Sequence, residues 1–406
     1  MTYRDQFRRY SGELSMTRIS PSQHILTLHT EWSGHNGISV FNQQLSQALA
    51  GVGCQVTARV AEPGASDGLV RVQALDPLPG IDSAGQLLRT EELPGKVDLL
   101  IGHSRFSGSA AVYLRNRVYP DAKAALFIHT SPEEGNRLRG LRGRADLLAE
   151  IDVSIAGAAD IVFALGPLLT MRARRLAASH GVPAERIREI VPGISDSAVA
   201  ENGHHGDEFR ILVLGRLDDP IKESGLAADI VGVLRQNGMR AQLVLRGARE
   251  ESIDGLERTL SERARSPVWV RPFTTDRTAV ERELRAADLL LVTSQHEGFG
   301  LVAFEAASHA IPVLVSRENS GVGMFLSDPR RVPAALGLSG TVSDSYVHEE
   351  RVRLWSDALT RTLTDLDEAR RRARELREHL LARYSWSACA ETVRSEVATL
   401  SAERSG

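Results

Sequence analysis

Short apolar runs of strand length alternate with longer amphipathic stretches along the whole chain. That alternation is the pattern of βαβ units around parallel sheets. In the first half it predicts strands at residues 24–29, 55–60, 70–75, 97–102, 124–129, 161–165 and 187–191. In the second half it predicts strands at 210–214, 242–245, 268–270, 289–293 and 313–316. So many strands are distributed more economically over two sheets than over one. Ile38, Phe41, Leu45, Leu49 and Val52 recur at helical spacing and predict a helix after the first strand. A charged helix is predicted at 365–383, where arginines 370, 371, 372, 374 and 377 alternate with Glu368, Glu375 and Glu378. Such a face is expected to be solvated and salt-bridged. The polar, glycine-containing stretch 200–207 resembles a linker, so the domain boundary is expected there.

Composition narrows the class. Apolar residues make up 42% and charged residues 25% of 406 positions, which excludes a disordered or fibrous chain. Lysine and arginine (49) do not exceed aspartate and glutamate (52), so the net charge of −3 offers nucleic acid no basic surplus. Cys54 and Cys389 have no CxxC spacing, which points away from a zinc knuckle or a disulfide framework and towards the cytoplasm. There is no apolar run of about 18 residues to span a bilayer. Residues 1–22 carry Arg4, Arg8, Arg9 and Arg18 without a following apolar segment, so a polar tail is expected rather than a secretory signal, with Met16 an alternative start.

In open parallel sheets ligands sit outside the carboxyl ends of the strands. After the first strand, His29 to Ser39 form a loop containing Gly34, Asn36 and Gly37 that feeds a helix N-terminus. Free amides there can hold a phosphate, although a turn glycine is the simpler explanation of Gly37. Neither GxGxxG with its acidic partner nor GxxxxGK[ST] is present. In the second half Gly215-Arg216 and Lys222 put two cations just past a strand, which suits a diphosphate as well as an ordinary surface loop. The richest segment runs from Thr293 and Ser294 through Glu297-Gly298-Phe299-Gly300-Leu301-Val302 to Glu305 and Pro312. A strand there meets a glycine loop and a helix. The amides of Phe299 to Val302 are expected at the helix start, with Glu305 about two turns in. A carboxylate on an apolar helix face needs strong donors, and sugar or ribose hydroxyls are suitable ones.

Glu297-Gly-Phe-Gly-Leu-Val-Ala-Phe-Glu305 followed by Pro312-Val313 resembles the signature of retaining GT-B glycosyltransferases, particularly glycosyltransferase family 4. Gly215-Arg216 with Lys222 is similar to that family's diphosphate clamp, and the first loop to its Gly-Gly donor loop. This sequence departs from the pattern in three places. Asn36 precedes Gly37, Glu223 follows Lys222 where glycine is common, and His309 stands where glycine is frequent. The resemblance implies two Rossmann-like, doubly wound parallel-sheet domains facing each other across a cleft, with the acceptor domain at 23–200 and the donor domain at 207–386. Residues 387–406 would return to the first domain as a helix. It also implies a nucleotide-sugar donor, an unidentified acceptor hydroxyl and retention of configuration.

The resemblance assigns roles residue by residue. Arg216, Lys222 and the helix start would stabilise the leaving diphosphate, with no metal or other cofactor. Glu297 would orient the donor sugar, and Glu305 would hold the ribose. The only DxD, Asp365-Leu366-Asp367, falls in a polar helical stretch, away from any strand end. His129 and His103 each end a strand, and each fits a structural histidine as well as a functional one. By resemblance His129 occupies the place near the reacting sugar, with His103 and Asn36 in its vicinity. Arg137, Arg139, Arg142 and Arg144 fit a solvated loop, an acceptor rim or a surface for peripheral membrane contact. A noncatalytic nucleotide-sugar sensor on the same fold is the competing reading.

Overall fold

The computed structural model describes residues 23–34, 36–66, 68–196 and 207–403. The expected tail, with Arg4, Arg8, Arg9, Arg18 and Met16, lies outside them, as does 200–206 of the expected linker. The first sheet contains β1 (His24–Glu31), β2 (Gln55–Glu62), β3 (Arg71–Ala74), β4 (Leu99–His103), β5 (Lys123–Ile128), β6 (Ile161–Leu165) and β7 (Ile187–Ile190). The second contains β8 (Phe209–Leu214), β9 (Ala241–Ala248), β10 (Trp269–Pro272), β11 (Leu289–Val292), β12 (Val313–Ser316) and β13 (Thr341–Val342). Every predicted strand forms, at 161–165 and 313–316 with the expected bounds and elsewhere with one or both ends displaced. The two-residue β13 was missed because so short an element leaves no pattern.

The spatial orders are β3-β2-β1-β4-β5-β6-β7 and β10-β9-β8-β11-β12-β13, with parallel pairing throughout. Each order reverses once, between β1 and β4 and between β8 and β11. A crevice therefore opens at each switch point beyond the strand ends. Helices cover both faces, so the central strands are apolar on both sides. All of β4 and β6 is buried, and Leu289, Leu290 and Leu291 of β11 have no exposed surface.

The charged helix spans Leu366–Arg383, capped by Asp365, whose carboxylate accepts from the Glu368 amide. Arg371 and Arg372 pair with Glu368 at 2.7 Å on its outer face, as expected. Arg370 does not follow that expectation. It is buried and donates to Asp288 at 2.6 Å, because this face of the helix docks against the second sheet. The chain then returns to the first sheet. Ser385 bridges to Ile194, and the Trp386–Glu403 helix lies on the Gly37–Gly51 helix, where Arg394 donates to the Val52 carbonyl at 3.3 Å. The Trp386 ring stands 5.4 Å from that of Phe41.

Candidate active site

The ends of β8 and β11 build one wall. Gly215 has φ +151°, and a Cβ there would lie 3.2 Å from Lys222 Cε, so the glycine leaves room for the lysine stem. Lys222 closes a short turn, Pro220–Lys222, and its ammonium donates to Glu297 Oε2 at 2.6 Å. Ser294 Oγ donates to the same oxygen at 3.3 Å. Burial is the largest single influence on the Glu297 carboxyl and pushes it up, but the Lys222 charge and hydrogen bond, His296 and the Ser294 hydroxyl together hold the group below its ordinary value. Arg216 stands apart, with 78% of its side chain exposed and a 3.7 Å approach to Asp219. It lines the open rim rather than the Lys222–Glu297 pair.

The family-pattern departures have specific structural readings. Glu223 adopts φ +49°, which is why glycine suits that position, and its carboxylate is held by Arg351 and by Gln295 Nε2 at 2.6 Å. His309 has an ordinary φ of −92°, and the left-handed residue is its neighbour Ala310 at φ +58°. The glycine-like position is thus 310, one residue beyond the expected one. Asn36 has extended backbone and needs no glycine freedom. Its Oδ1 caps the Gly37–Gly51 helix by accepting from Ser39 N at 2.9 Å, while its Nδ2 donates to Glu31.

The glycine loop after β11 ends at Gly300, φ +99°, and the helix spans Leu301–Ser308. Two expectations shift with that start. Phe299 precedes the helix, with its ring buried against Phe304 and Phe325, so it is a core residue rather than the first helical amide. Glu305 lies one turn into the helix, not two, and is paired with Arg277. The helical ladder leaves the amides of Leu301 and Val302 without intrahelical acceptors. Facing them is the other helix start, since a Cβ on Gly37 would lie 3.4 Å from Leu301 Cδ1. A narrow cleft lined by Gln44, Arg277, Leu301, Glu305 and Trp386 opens beside this junction.

The opposite wall belongs to the first sheet. A Cβ on Gly298 would come 2.6 Å from the His129 carbonyl oxygen, so the Glu297 loop lies directly on the end of β5. His129 is buried, and desolvation followed by the His29 charge pushes its pKa down to about 3, so it is neutral. His103 has no exposed surface and meets His129 ring to ring at 2.9 Å, so any effect it has on a ligand passes through His129. The predicted residues Gly37, His129, Lys222, Ser294, Glu297, Gly298, Gly300, Leu301, Val302 and Glu305 thus line one junction. Arg216 stands at its rim, Asn36 caps one side, and Phe299 packs beneath.

Arg139, expected in a solvated loop, an acceptor rim or a membrane-facing surface, has a partner in the second half, and several other residues at the junction were not singled out from sequence. Arg139 binds Asp219 across the two halves. Arg172 donates to His296 Nδ1 at 3.2 Å, also across the halves, and burial together with Arg172 pushes His296 down to about 4. Arg277 partners Glu305, and Asn42 bonds His103. Only Asn42 left a readable signal. It sits four residues after Ile38 on the apolar stripe of its helix, where a polar side chain requires a partner.

A model of family 4 glycosyltransferases in conflict systems matches residues 26–393. The chain belongs to this glycosyltransferase family. Curated relatives include D-inositol 3-phosphate glycosyltransferases from Thermobispora bispora and Mycobacteroides abscessus. The first is 27% identical, covering 91% of this chain and 90% of the relative; the second is 28% identical, covering 96% and 91%. Among solved structures, the fold is similar to sucrose-phosphate synthase from Thermosynechococcus elongatus, with TM-score 0.74, 20% identity, and 94% and 100% of the two chains covered. Anabaena HepE, solved with UDP and glucose, gives TM-score 0.67 at 15% identity over 92% and 99%. These neighbours establish the GT-B fold for this glycosyltransferase. Among the described residues, no helix is long and apolar enough to cross a membrane.

Proposed function

We propose that this glycosyltransferase moves a hexosyl group from a nucleotide diphosphate sugar to an acceptor hydroxyl with retention of configuration. The observation that carries this reading is the meeting of the Lys222–Glu297 pair, the Leu301 helix start and the His129 strand end at one junction. The diphosphate would lie between the helix starts at Gly37 and Leu301. There, unpaired amides and the positive helix ends favour an anion. As the glycosidic bond breaks, negative charge grows on the leaving diphosphate, and Lys222 stands in position to stabilise it electrostatically. Arg216, exposed at the rim, would leave Asp219 and swing onto the same phosphates. In this scheme fixed cations and amides do the work that a metal does elsewhere, and no other cofactor is required.

Glu305 would exchange its Arg277 partner for ribose hydroxyls, and Glu297 would orient the sugar. Contacts between the halves, Arg139 to Asp219 and Arg172 to His296, favour a closed cleft that excludes water and so limits donor hydrolysis. The acceptor would enter from the first-domain side. D-Inositol 3-phosphate, named for the curated relatives, is the first acceptor to supply. The test is incubation with UDP, GDP, ADP and TDP sugars, with and without that acceptor, following nucleotide release and the anomer of the product by proton NMR. An α-linked product from an α-donor supports retention. A β-linked product, or no release with any donor and acceptor, refutes the reading.

A further inference from the structure

Three buried histidines meet where β1, β4 and β5 lie side by side: His29, His103 and His129. The His103 ring centroid lies 5.7 Å from that of His29 and 5.1 Å from that of His129. The strand ends that carry them are tied together by hydroxyls. Ser107 Oγ accepts from the His103 amide at 2.8 Å, and Ser104 Oγ accepts from the His129 amide at 3.3 Å. Ser104 itself is held at φ +44°, a strained conformation for a residue with a side chain.

Side-chain hydrogen bonds run through this group in one direction. Asn42 Oδ1 accepts from Thr27 Oγ1 at 2.6 Å and lies 2.9 Å from His103 Nε2. With the Asn42 amide oriented this way, Oδ1 towards Thr27 and His103 and Nδ2 buried without a partner, the oxygen only accepts, so His103 carries its proton on Nε2. A neutral imidazole with Nε2–H has a bare Nδ1. That bare nitrogen faces His129 Nε2 at 2.9 Å, so His129 must supply the proton between them. His129 is then the Nε2–H form, and its Nδ1 is its lone acceptor. That Nδ1 makes no hydrogen bond to any described residue.

We propose that Asn42 and His103 are positioning residues that lock His129 in the Nε2–H tautomer, leaving a bare Nδ1 to accept a hydrogen bond from a substrate hydroxyl. The substrate half of this statement rests on the transferase reading above, whereas the tautomer half stands without it. Burial pushes all three histidines below their ordinary value, so the relay holds neutral rings rather than a shared charge. The titratable groups acting on the pair come from β1: the His29 ring and, beyond it, Glu31, whose backbone carbonyl lies 2.8 Å from His29 Nδ1. The helix above contributes Phe41 and Asn42, the second half contributes Gly298, and Trp386 packs behind Phe41.

The test is nitrogen NMR of histidine-labelled full-length protein, together with donor turnover. Wild type is expected to have both His103 and His129 protonated at Nε2 only, unchanged across the neutral range. In Asn42→Asp the new carboxylate holds His103 as the doubly protonated ring. Its Nδ1–H then donates to His129, which switches to the Nδ1–H form. Turnover should fall about tenfold to a hundredfold with little change in donor KM, by analogy with the loss on removing a residue that orients a metal-bound histidine. Should Asn42→Asp fail to fold, His103→Gln and His103→Leu carry the test. Glutamine reproduces one donor and one acceptor and is expected to keep both the tautomer and the activity within a few-fold, whereas leucine frees His129 to mix tautomers. Mixed or Nδ1–H tautomers in wild type would overturn the relay, as would a leucine variant with an unchanged His129 spectrum. If the tautomers are as expected but His129→Ala transfers sugar normally, the role of Nδ1 towards substrate is refuted while the relay itself survives.

Discussion

Replacing Lys222 with alanine should affect stability and turnover together, with a particular pH signature. Lys222 and Glu297 are each mostly buried, with 20% and 23% of their side chains exposed, and their bond is 2.6 Å long. A hydrogen bond to a charged group is worth about 1.5–3 kcal/mol, so the variant should lose roughly that amount near neutrality. In wild type the Glu297 carboxyl lies below its ordinary 4.5. Its contribution is therefore present above that value and lost as pH falls through the depressed one. Without Lys222, burial is the largest remaining influence on Glu297 and raises it. Charging the carboxyl then costs stability as pH rises. The gap between wild type and Lys222→Ala should accordingly widen from about pH 4 to about pH 7. Turnover should fall by about 10²–10³, the usual effect of removing one group that stabilises developing charge. Urea unfolding across that pH range and donor turnover at saturation measure both. A stability gap that does not vary with pH, or turnover within a few-fold of wild type, would refute the electrostatic reasoning.

Gly166→Ala should break the seam between the halves, because a Cβ at this φ +71° position would sit 2.4 Å from the Phe299 ring. A loss of at least about 1–3 kcal/mol is expected in denaturant unfolding, with weaker donor binding by calorimetry. Ala310→Gly should do the opposite, relieving φ +58° and raising the urea midpoint by an amount equivalent to about 0.5–1 kcal/mol. Asp219→Ala removes the partner of Arg139 across the cleft. It should increase donor hydrolysis relative to transfer, measured as nucleotide release per product formed. Glu305→Gln should raise donor KM more than it lowers kcat, since the proposed ribose contact would be made equally in ground and transition states.

The strand pattern was legible because both sheets are covered by helices, which makes each central strand a continuous apolar run bounded by turns. The wall built on the ends of β8 and β11 was legible for a different reason. Glu297, Glu305, Lys222 and the glycines between them lie close in sequence, so their order survives as a motif. What escaped notice depends on contacts distant in sequence. Arg139 meets Asp219 and Arg172 meets His296 only after the halves come together. His103 and His129 become neighbours because β4 and β5 pair, a fact the strand pattern leaves open. The position of Arg370 escaped because its charge resembles that of Arg371 and Arg372 beside it. Its buried partner, Asp288, lies on another element. At the Pro-Val strand, spacing alone misplaced the left-handed residue by one position, since φ at His309 and Ala310 is set by how the helix ends.

The most direct test of the donor site is equilibrium stabilisation of the wild-type protein by UDP, GDP, ADP and TDP sugars, run in parallel on Lys222→Ala. One nucleotide class should raise the wild-type melting temperature. At about a hundredfold excess over Kd the gain corresponds to roughly 2.7 kcal/mol, and most of it should vanish in the variant. A wild-type protein that no nucleotide sugar stabilises, or an equal gain in both proteins, would contradict a donor site built on Lys222, Glu297 and the Leu301 helix start.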